Sequence, residues 1–265
     1  MPKAGVNEFP VGGKNRRFHV IPAKAGTGPR PVFVSLTGTV QEETAFARQS
    51  GLDRLAEAGW TVLAPVRSCS QEARSCNQLG TDGRIWEPWY DGTTPLTDDA
   101  GPDVAFVDAM VRCVATAFPT AKDAIYAGGI SAGGTFTNRN LTFNSELFAG
   151  GVPASGNWTY GAPPKTPKTM DSAIMIVLWG GPTDTWGQSP PYAGETKATS
   201  AYYAKQPNVV TVSCSGTHGH MWPPAATPWI AETLLSFKKG SDPKAFKLKT
   251  PPAGLTCVLG EYTDH

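Results

Sequence analysis

Long apolar runs are the first thing this 265-residue chain lacks. Its longest, Ala173 to Trp179, falls far short of the ~20 residues that cross a bilayer as a helix, so no membrane partner is expected. An excess of charge is also missing: 23 Lys and Arg stand against 22 Asp and Glu, scattered along the chain. That balance leaves no basic stripe for a nucleic-acid partner. Histidine is scarce, with 4 residues. Two of them, His218 and His220, follow Cys214 at close spacing. Cys214 lies in an apolar strand with no carboxylate near in sequence, so neither a metal nor a cofactor is expected. The N-terminus, Met-Pro-Lys-Ala-Gly, has no apolar segment of the kind a signal peptide carries. The expectation is therefore a cytoplasmic protein or a mature form trimmed of its leader. No internal repeat and no linker interrupts the chain. Residues 1–265 read as a single domain, with 240–265 as an irregular tail.

The five cysteines choose between those compartments. Cys69 and Cys76 bracket a polar loop that offers no core to bury a thiol. A disulfide there, and a second between Cys214 and Cys257, would leave Cys113 free and point to an oxidizing compartment. The protein is expected to be secreted.

What is present is an alternation of strand and helix. Strands are expected over Arg17–Pro22, Pro31–Leu36, Thr61–Val66, Asp123–Ala127, Phe148–Ser155, Ala173–Trp179 and Val209–Ser215. Helices are expected over Glu42–Gly59, Asp103–Phe118, Thr135–Leu147, Ala193–Gln206 and Pro228–Lys239. That order predicts an α/β fold, a mostly parallel sheet with helices on both faces. Arg67 to Pro102 departs from it as a long excursion rich in Gly, Asp and aromatic residues, and a loop of that length is usually functional.

One stretch organises the rest. Gly129-Ile130-Ser131-Ala132-Gly133 is G-x-S-x-G, set between an expected strand and an expected helix. A Ser on so tight a turn needs neighbours without bulk, and the flanking glycines supply that. The helix N-terminus presents free N–H groups to an anion formed beside Ser131.

Ser131 needs a base, and the base needs a carboxylate to orient it. In an open α/β sheet these groups gather past the C-terminal ends of strands. Asp184 follows Ala173–Trp179, and His218 and His220 follow Val209–Ser215. The order Ser, Asp, His is that of the α/β-hydrolases. Asp171 precedes its strand and lies at the wrong end, and Asp98 and Asp99 come before Ser131. The oxyanion formed on attack needs two N–H donors, expected from Ala132 and from Thr39 in the loop after an early strand.

With these residues in place, the chain resembles the secreted polyhydroxyalkanoate depolymerases and the related feruloyl-esterase-like bacterial esterases. Gly129 to Gly134 matches the nucleophile segment, and Phe148 to Ala154 is similar to the strand that follows it. Gly219-His-Met-Trp-Pro223 matches the G-H-x-W-P box, and Trp179 to Asp184 resembles the acid loop. The likeness runs from about Pro31 to Phe237. It implies an α/β-hydrolase fold and assigns the catalytic base to His220 rather than His218. Where the family has Leu-His-Gly, this chain has Leu36-Thr37-Gly38, so the outer hydrogen bonds of the oxyanion loop must differ.

Trp86, Trp89, Trp158 and Trp222 stand in loops on the catalytic side and are expected to bind substrate as a broad apolar rim. Such a rim suits a polyester chain or an aryl ester. The leading expectation is a monomeric serine carboxylesterase acting on a polymeric or aryl ester. A second keeps the triad but cleaves a carbon–carbon bond, as diketone hydrolases of the polyvinyl alcohol type do. A third is a polymer-binding protein without catalysis on the same scaffold.

Overall fold

The computed structural model describes residues 1–39, 41–67, 86, 101–156, 170–185 and 192–263. Nine strands form one sheet: β1 (Gly5–Val11), β2 (Lys14–Ile21), β3 (Arg30–Leu36), β4 (Thr61–Pro65), β5 (Thr120–Ile130), β6 (Gly150–Ala154), β7 (Ala173–Trp179), β8 (Val209–Gly216) and β9 (Leu255–Leu259). Their order across the sheet is β1-β2-β4-β3-β5-β6-β7-β8-β9. From β4 through β8 every pair is parallel, and the antiparallel pairs lie at the two margins. The chain passes from β3 outward to β4 and then returns to β5, so the direction of winding reverses between β3 and β5. Open sheets of this kind bind ligands at that reversal, past the carboxyl ends of the strands.

Successive strand residues feed opposite faces, because side chains alternate across a sheet. Val32, Val34 and Leu36 join one core while Phe33 joins the other; Met175 and Val177 split in the same way from Ile174, Ile176 and Leu178. Helices α2 (Pro102–Val114), α3 (Ala132–Phe143) and α4 (Ala193–Ala204) cover the first face with Phe106, Met110, Phe136, Leu141 and Tyr203. Helices α1 (Glu43–Gln49) and α5 (Thr227–Leu235) cover the second with Phe46, Ile230 and Leu234. Near-continuous apolar strands are what two covered faces require. Among the described residues, no helix is long and apolar enough to cross a membrane.

The elements depart from expectation in three places. The helix expected over Glu42–Gly59 is two pieces, because Gly51 adopts φ 72° and the chain restarts as a 3₁₀ turn over Leu52–Ala56. Ser50 Oγ donates back to the Phe46 carbonyl at 2.7 Å, closing the first piece. The tail is not irregular throughout: β9 pairs antiparallel with β8, and the Cys214–Cys257 disulfide joins residues directly opposite each other in that register. β1, with Pro10 in it, was not expected as a strand; it sits at an edge, where a missing N–H is tolerated. Cys113 is a free thiol, and Cys69 and Cys76 lie outside the described residues.

Candidate active site

Five adjacent strand ends build the site. β3 ends at Leu36 and runs into the loop of Thr37, Gly38 and Thr39. β5 delivers Ser131, β6 Ser155, β7 Asp184, and β8 the two histidines.

Ser131 has φ 56° and ψ −122°, a conformation costing an ordinary residue on the order of 1–3 kcal/mol. Neighbours hold it there. Its N–H donates to the Ala154 carbonyl at 2.9 Å. Gly129 and Gly133 clamp the Leu36 carbonyl between them: a Cβ on either would stand 2.0 or 2.1 Å from that oxygen. The two glycines of the motif therefore let the Ser131 turn pack close against β3. Ala132 is the first residue of α3, so its N–H has no acceptor within the helix.

Asp184 is fully buried, and three donors converge on its carboxylate. His220 Nδ1 lies 2.7 Å from Oδ1. A carboxylate offers only acceptors, so Nδ1 carries the hydrogen and Nε2 is left as the basic nitrogen. On the other oxygen, Ser155 Oγ donates to Oδ2 at 2.6 Å and the Gly180 N–H donates at 2.8 Å. The loops carrying Asp184 and His220 are also stitched to each other by the Gly219 N–H on the Gly180 carbonyl at 2.8 Å. Tyr192 stacks on the His220 ring, with centroids 4.7 Å apart and planes inclined by 23°.

His218 is placed differently. Its Nε2 is buried with no hydrogen-bond partner among the described residues. Burial lowers its pKa, and the charge of Asp184 opposes that only in part. It is a packed ring beside the site, and what separates it from His220 is the hydrogen bond His220 makes to Asp184. The rejected acid Asp171 faces Lys239 in a half-exposed ion pair. Asp98 and Asp99 lie outside the described residues, and no His/Cys/Asp/Glu cluster suited to a metal occurs among those described.

No protein-family model matches the chain. It is 41% identical to the oxidized polyvinyl alcohol hydrolase of Sphingopyxis sp. (strain 113P3), over 100% of this chain and 87% of the relative. A second oxidized polyvinyl alcohol hydrolase, from a Pseudomonas sp., is 38% identical over 98% of this chain and 84% of its own length.

The chain belongs to the oxidized polyvinyl alcohol hydrolase family.

It is accordingly an enzyme of the hydrolase class. The alignment with the Sphingopyxis hydrolase spans 317 residues against the 265 of this chain, so the family relative carries extra residues inside the matched span. A solved structure described as native sOPH superposes with a TM-score of 0.89 at 39% identity, covering 100% of this chain and 97% of that one. A thermostable esterase superposes at 0.60 and 16% identity, over 88% of this chain and 63% of its own. That likeness extends to the α/β-hydrolase fold alone. The resemblance to esterases therefore holds as a shared fold, while the family is the oxidized polyvinyl alcohol hydrolases.

Membership does not place the tryptophans on an open rim. Trp86 is 1% exposed, stacks on Phe136 with ring centroids 4.4 Å apart, and donates Nε1–H to the Thr37 carbonyl at 3.0 Å. Trp222 is 5% exposed, lies edge-on to Phe33 and Phe46, and donates Nε1–H to Thr227 Oγ1 at 2.9 Å. Both are anchors in the packed layers, because a ring with its one polar group satisfied gains more from burial than from a wet loop. Trp89 and Trp158 lie outside the described residues. The exposed apolar side chain next to the base is Met221, at 59%. Sequence reasoning missed the parts played by Ser155, Gly180 and Tyr192; Ser155 had a signal, as the residue directly after the family-like strand segment ending at Ala154, and so had Gly180, inside the segment Trp179 to Asp184, whereas Tyr192 had none.

Proposed function

We propose that this enzyme hydrolyses the carbon–carbon bond of β-diketone units, of the kind formed when polyvinyl alcohol is oxidized. The observation that carries the substrate class is the match to two hydrolases of that name across essentially the whole chain. It favours this reading over the polyester reading expected from sequence.

The bonded acid and base support the chemistry. Ser131 Oγ attacks one carbonyl as its proton passes to Nε2 of His220, and Asp184 holds the resulting imidazolium. The tetrahedral oxyanion is received by the N–H groups of Ala132 and Thr39. Its collapse breaks the bond to the central carbon. The electron pair leaves as an enolate stabilised by the second carbonyl, and His220 returns the proton to that carbon, leaving a methyl ketone end. Water, deprotonated by His220, then attacks the acyl-Ser131 ester and releases a carboxylic acid. One water is consumed, and one acid and one ketone are produced. An ester differs only in its leaving group, so an activated ester is a convenient second substrate.

The Cys214–Cys257 disulfide supports secretion, since such bonds persist in oxidizing compartments. We read the protein as a secreted monomer working directly on polymer. Product analysis on a β-diketone, p-nitrophenyl butyrate and polyhydroxybutyrate film tests the proposal. Acid and ketone from the diketone, with the film left intact, are expected. Release of soluble oligomers from the film with no diketone cleavage would restore the polyester reading, and no turnover of any of the three would restore the binding protein.

A further inference from the structure

Thr37 stands where the resembling family carries histidine, and the loop it begins must be held by other means. The structure assigns that task to Arg67: we infer that its guanidinium is a positioning residue that aims the oxyanion donor at the nucleophile. The inference rests on the serine mechanism proposed above.

Arg67 follows β4 and is 4% exposed. Its Nη1 donates to the carbonyls of Gly38 at 3.1 Å and Thr39 at 2.7 Å, and its Nη2 to that of Gln41 at 2.6 Å. Glu43 of α1 lies 3.4 Å from Nε and balances the charge. Burial lowers the Arg67 pKa, with Glu43 opposing, yet an arginine stays charged under all ordinary conditions. A buried cation is thus spent on three backbone carbonyls of one short loop. Lysine would replace it only in part, because its ammonium is a single point on a flexible stem, whereas the rigid planar fork meets acceptors at two separate nitrogens at once.

The geometry of a trans peptide turns those bonds into a direction. Its C=O and N–H point opposite ways. Fixing the Gly38 carbonyl on Arg67 therefore fixes the Thr39 N–H on the far side of the loop. The Gly38 N–H is already used, donating to Gln41 Oε1 at 2.9 Å, so it is not the donor. The loop sits against the nucleophile turn: a Cβ on Gly38 would lie 3.2 Å from the Ile130 carbonyl, immediately before Ser131. Trp86 secures the near end through the Thr37 carbonyl. Arg67 touches neither substrate nor Ser131 in this account; it acts through the loop.

The test compares the wild type with Arg67→Met/Glu43→Gln, which removes both charges together, and with Arg67→Lys, which keeps the charge opposite Glu43 and so protects folding. Each is assayed on p-nitrophenyl butyrate and for inhibition by phenylboronic acid, which forms a tetrahedral adduct on an active serine. Losing an oxyanion donor outright costs about 10²- to 10³-fold in kcat, so a donor left in place but mis-aimed should cost about 10- to 100-fold. The expected result is that loss in kcat, with KM changed less than about 3-fold and boronate affinity falling in parallel with kcat. Arg67→Lys should show the same pattern at smaller size. Folded variants with wild-type kcat and boronate affinity, even with a lower Tm, overturn the assignment and leave Arg67 as a scaffold residue. If the double variant does not fold, Arg67→Lys alone decides on the same criteria. Ser131→Ala is the control: should it keep activity, the serine mechanism fails, and the role of Arg67 fails with it for that separate reason.

Discussion

The two halves of the site are built from different materials. On the acid–base side, Ser155, Gly180, Asp184 and His220 are tied by hydrogen bonds that end on one carboxylate. On the nucleophile side, Ser131 is positioned by backbone packed on backbone, with two glycines pressed on the Leu36 carbonyl and Arg67 gripping the next loop. The first half can lose one hydrogen bond and keep its shape. The second admits no added atom, because a Cβ on Gly129 or Gly133 would stand well inside van der Waals contact with the Leu36 carbonyl. Function should therefore fail outright when an atom is added at Gly129 or Gly133, whereas losing one hydrogen bond to Asp184, or the Arg67 grip, should lower it in steps.

The sharpest step is between the two histidines. His220→Ala removes the base and should lower kcat/KM by on the order of 10⁴ or more, as losses within a triad do. His218→Ala removes a packed ring without a hydrogen-bond partner at Nε2 and should keep at least about a tenth of wild-type kcat/KM, a cost of ~1.4 kcal/mol. Both are read on p-nitrophenyl butyrate. A dead His218→Ala beside an active His220→Ala would move the base by two residues.

Ser155→Ala deletes one of the three donors to Asp184. Hydrogen bonds to charged groups contribute about 1.5–3 kcal/mol, so kcat should fall roughly 10- to 100-fold with KM nearly unchanged. Ser155 also has φ 43°, and it and Ser131 are the non-glycine residues with positive φ among those described. Ser155→Gly separates the two roles. It relieves the backbone but still lacks the hydroxyl, so it should be as slow as Ser155→Ala and more stable.

Reduction reaches the margin of the sheet rather than the site. The Cys214–Cys257 bridge closes a span of 43 residues. The chain-entropy treatment puts such a bridge at about 4 kcal/mol, so Tm should fall measurably with dithiothreitol. Initial activity at low temperature should persist. Thiol titration after denaturation should find one free thiol if Cys69 and Cys76 are also bridged.

The smallest effect concerns pH. Burial depresses the His218 pKa in the folded state, so the unfolded chain binds the proton more readily. Stability is then complete above the ordinary imidazole pKa and declines as pH falls from there through the depressed value. His218→Asn should flatten that part of the Tm profile between about pH 7 and 5, where imidazole titrates. An unchanged slope would show that His218 contributes nothing to it.

The sheet was legible from sequence because its central strands are apolar on both faces, as in Ala173–Trp179. The placing of Asp184 and His220 within hydrogen-bond distance was legible because chain order and strand ends bring the two loops together. What stayed hidden was long-range or local to one peptide. β9 is a short Leu-Thr-Cys-Val-Leu segment whose pairing depends on β8. The Arg67 grip joins positions that sequence spacing does not relate. Trp86 and Trp222 misled because a ring in a loop was taken to face solvent, whereas Trp222 turns into the core beside Phe33 and Phe46.

The central claim is that an acyl group from a β-diketone is carried on Ser131. Rapid quenching during turnover, followed by peptide mass mapping, measures this directly. The account predicts an acyl mass on the peptide containing Ser131, equimolar release of ketone in the first turnover, and neither signal in Ser131→Ala. Ketone release without a Ser131 adduct, and persisting in Ser131→Ala, would contradict it.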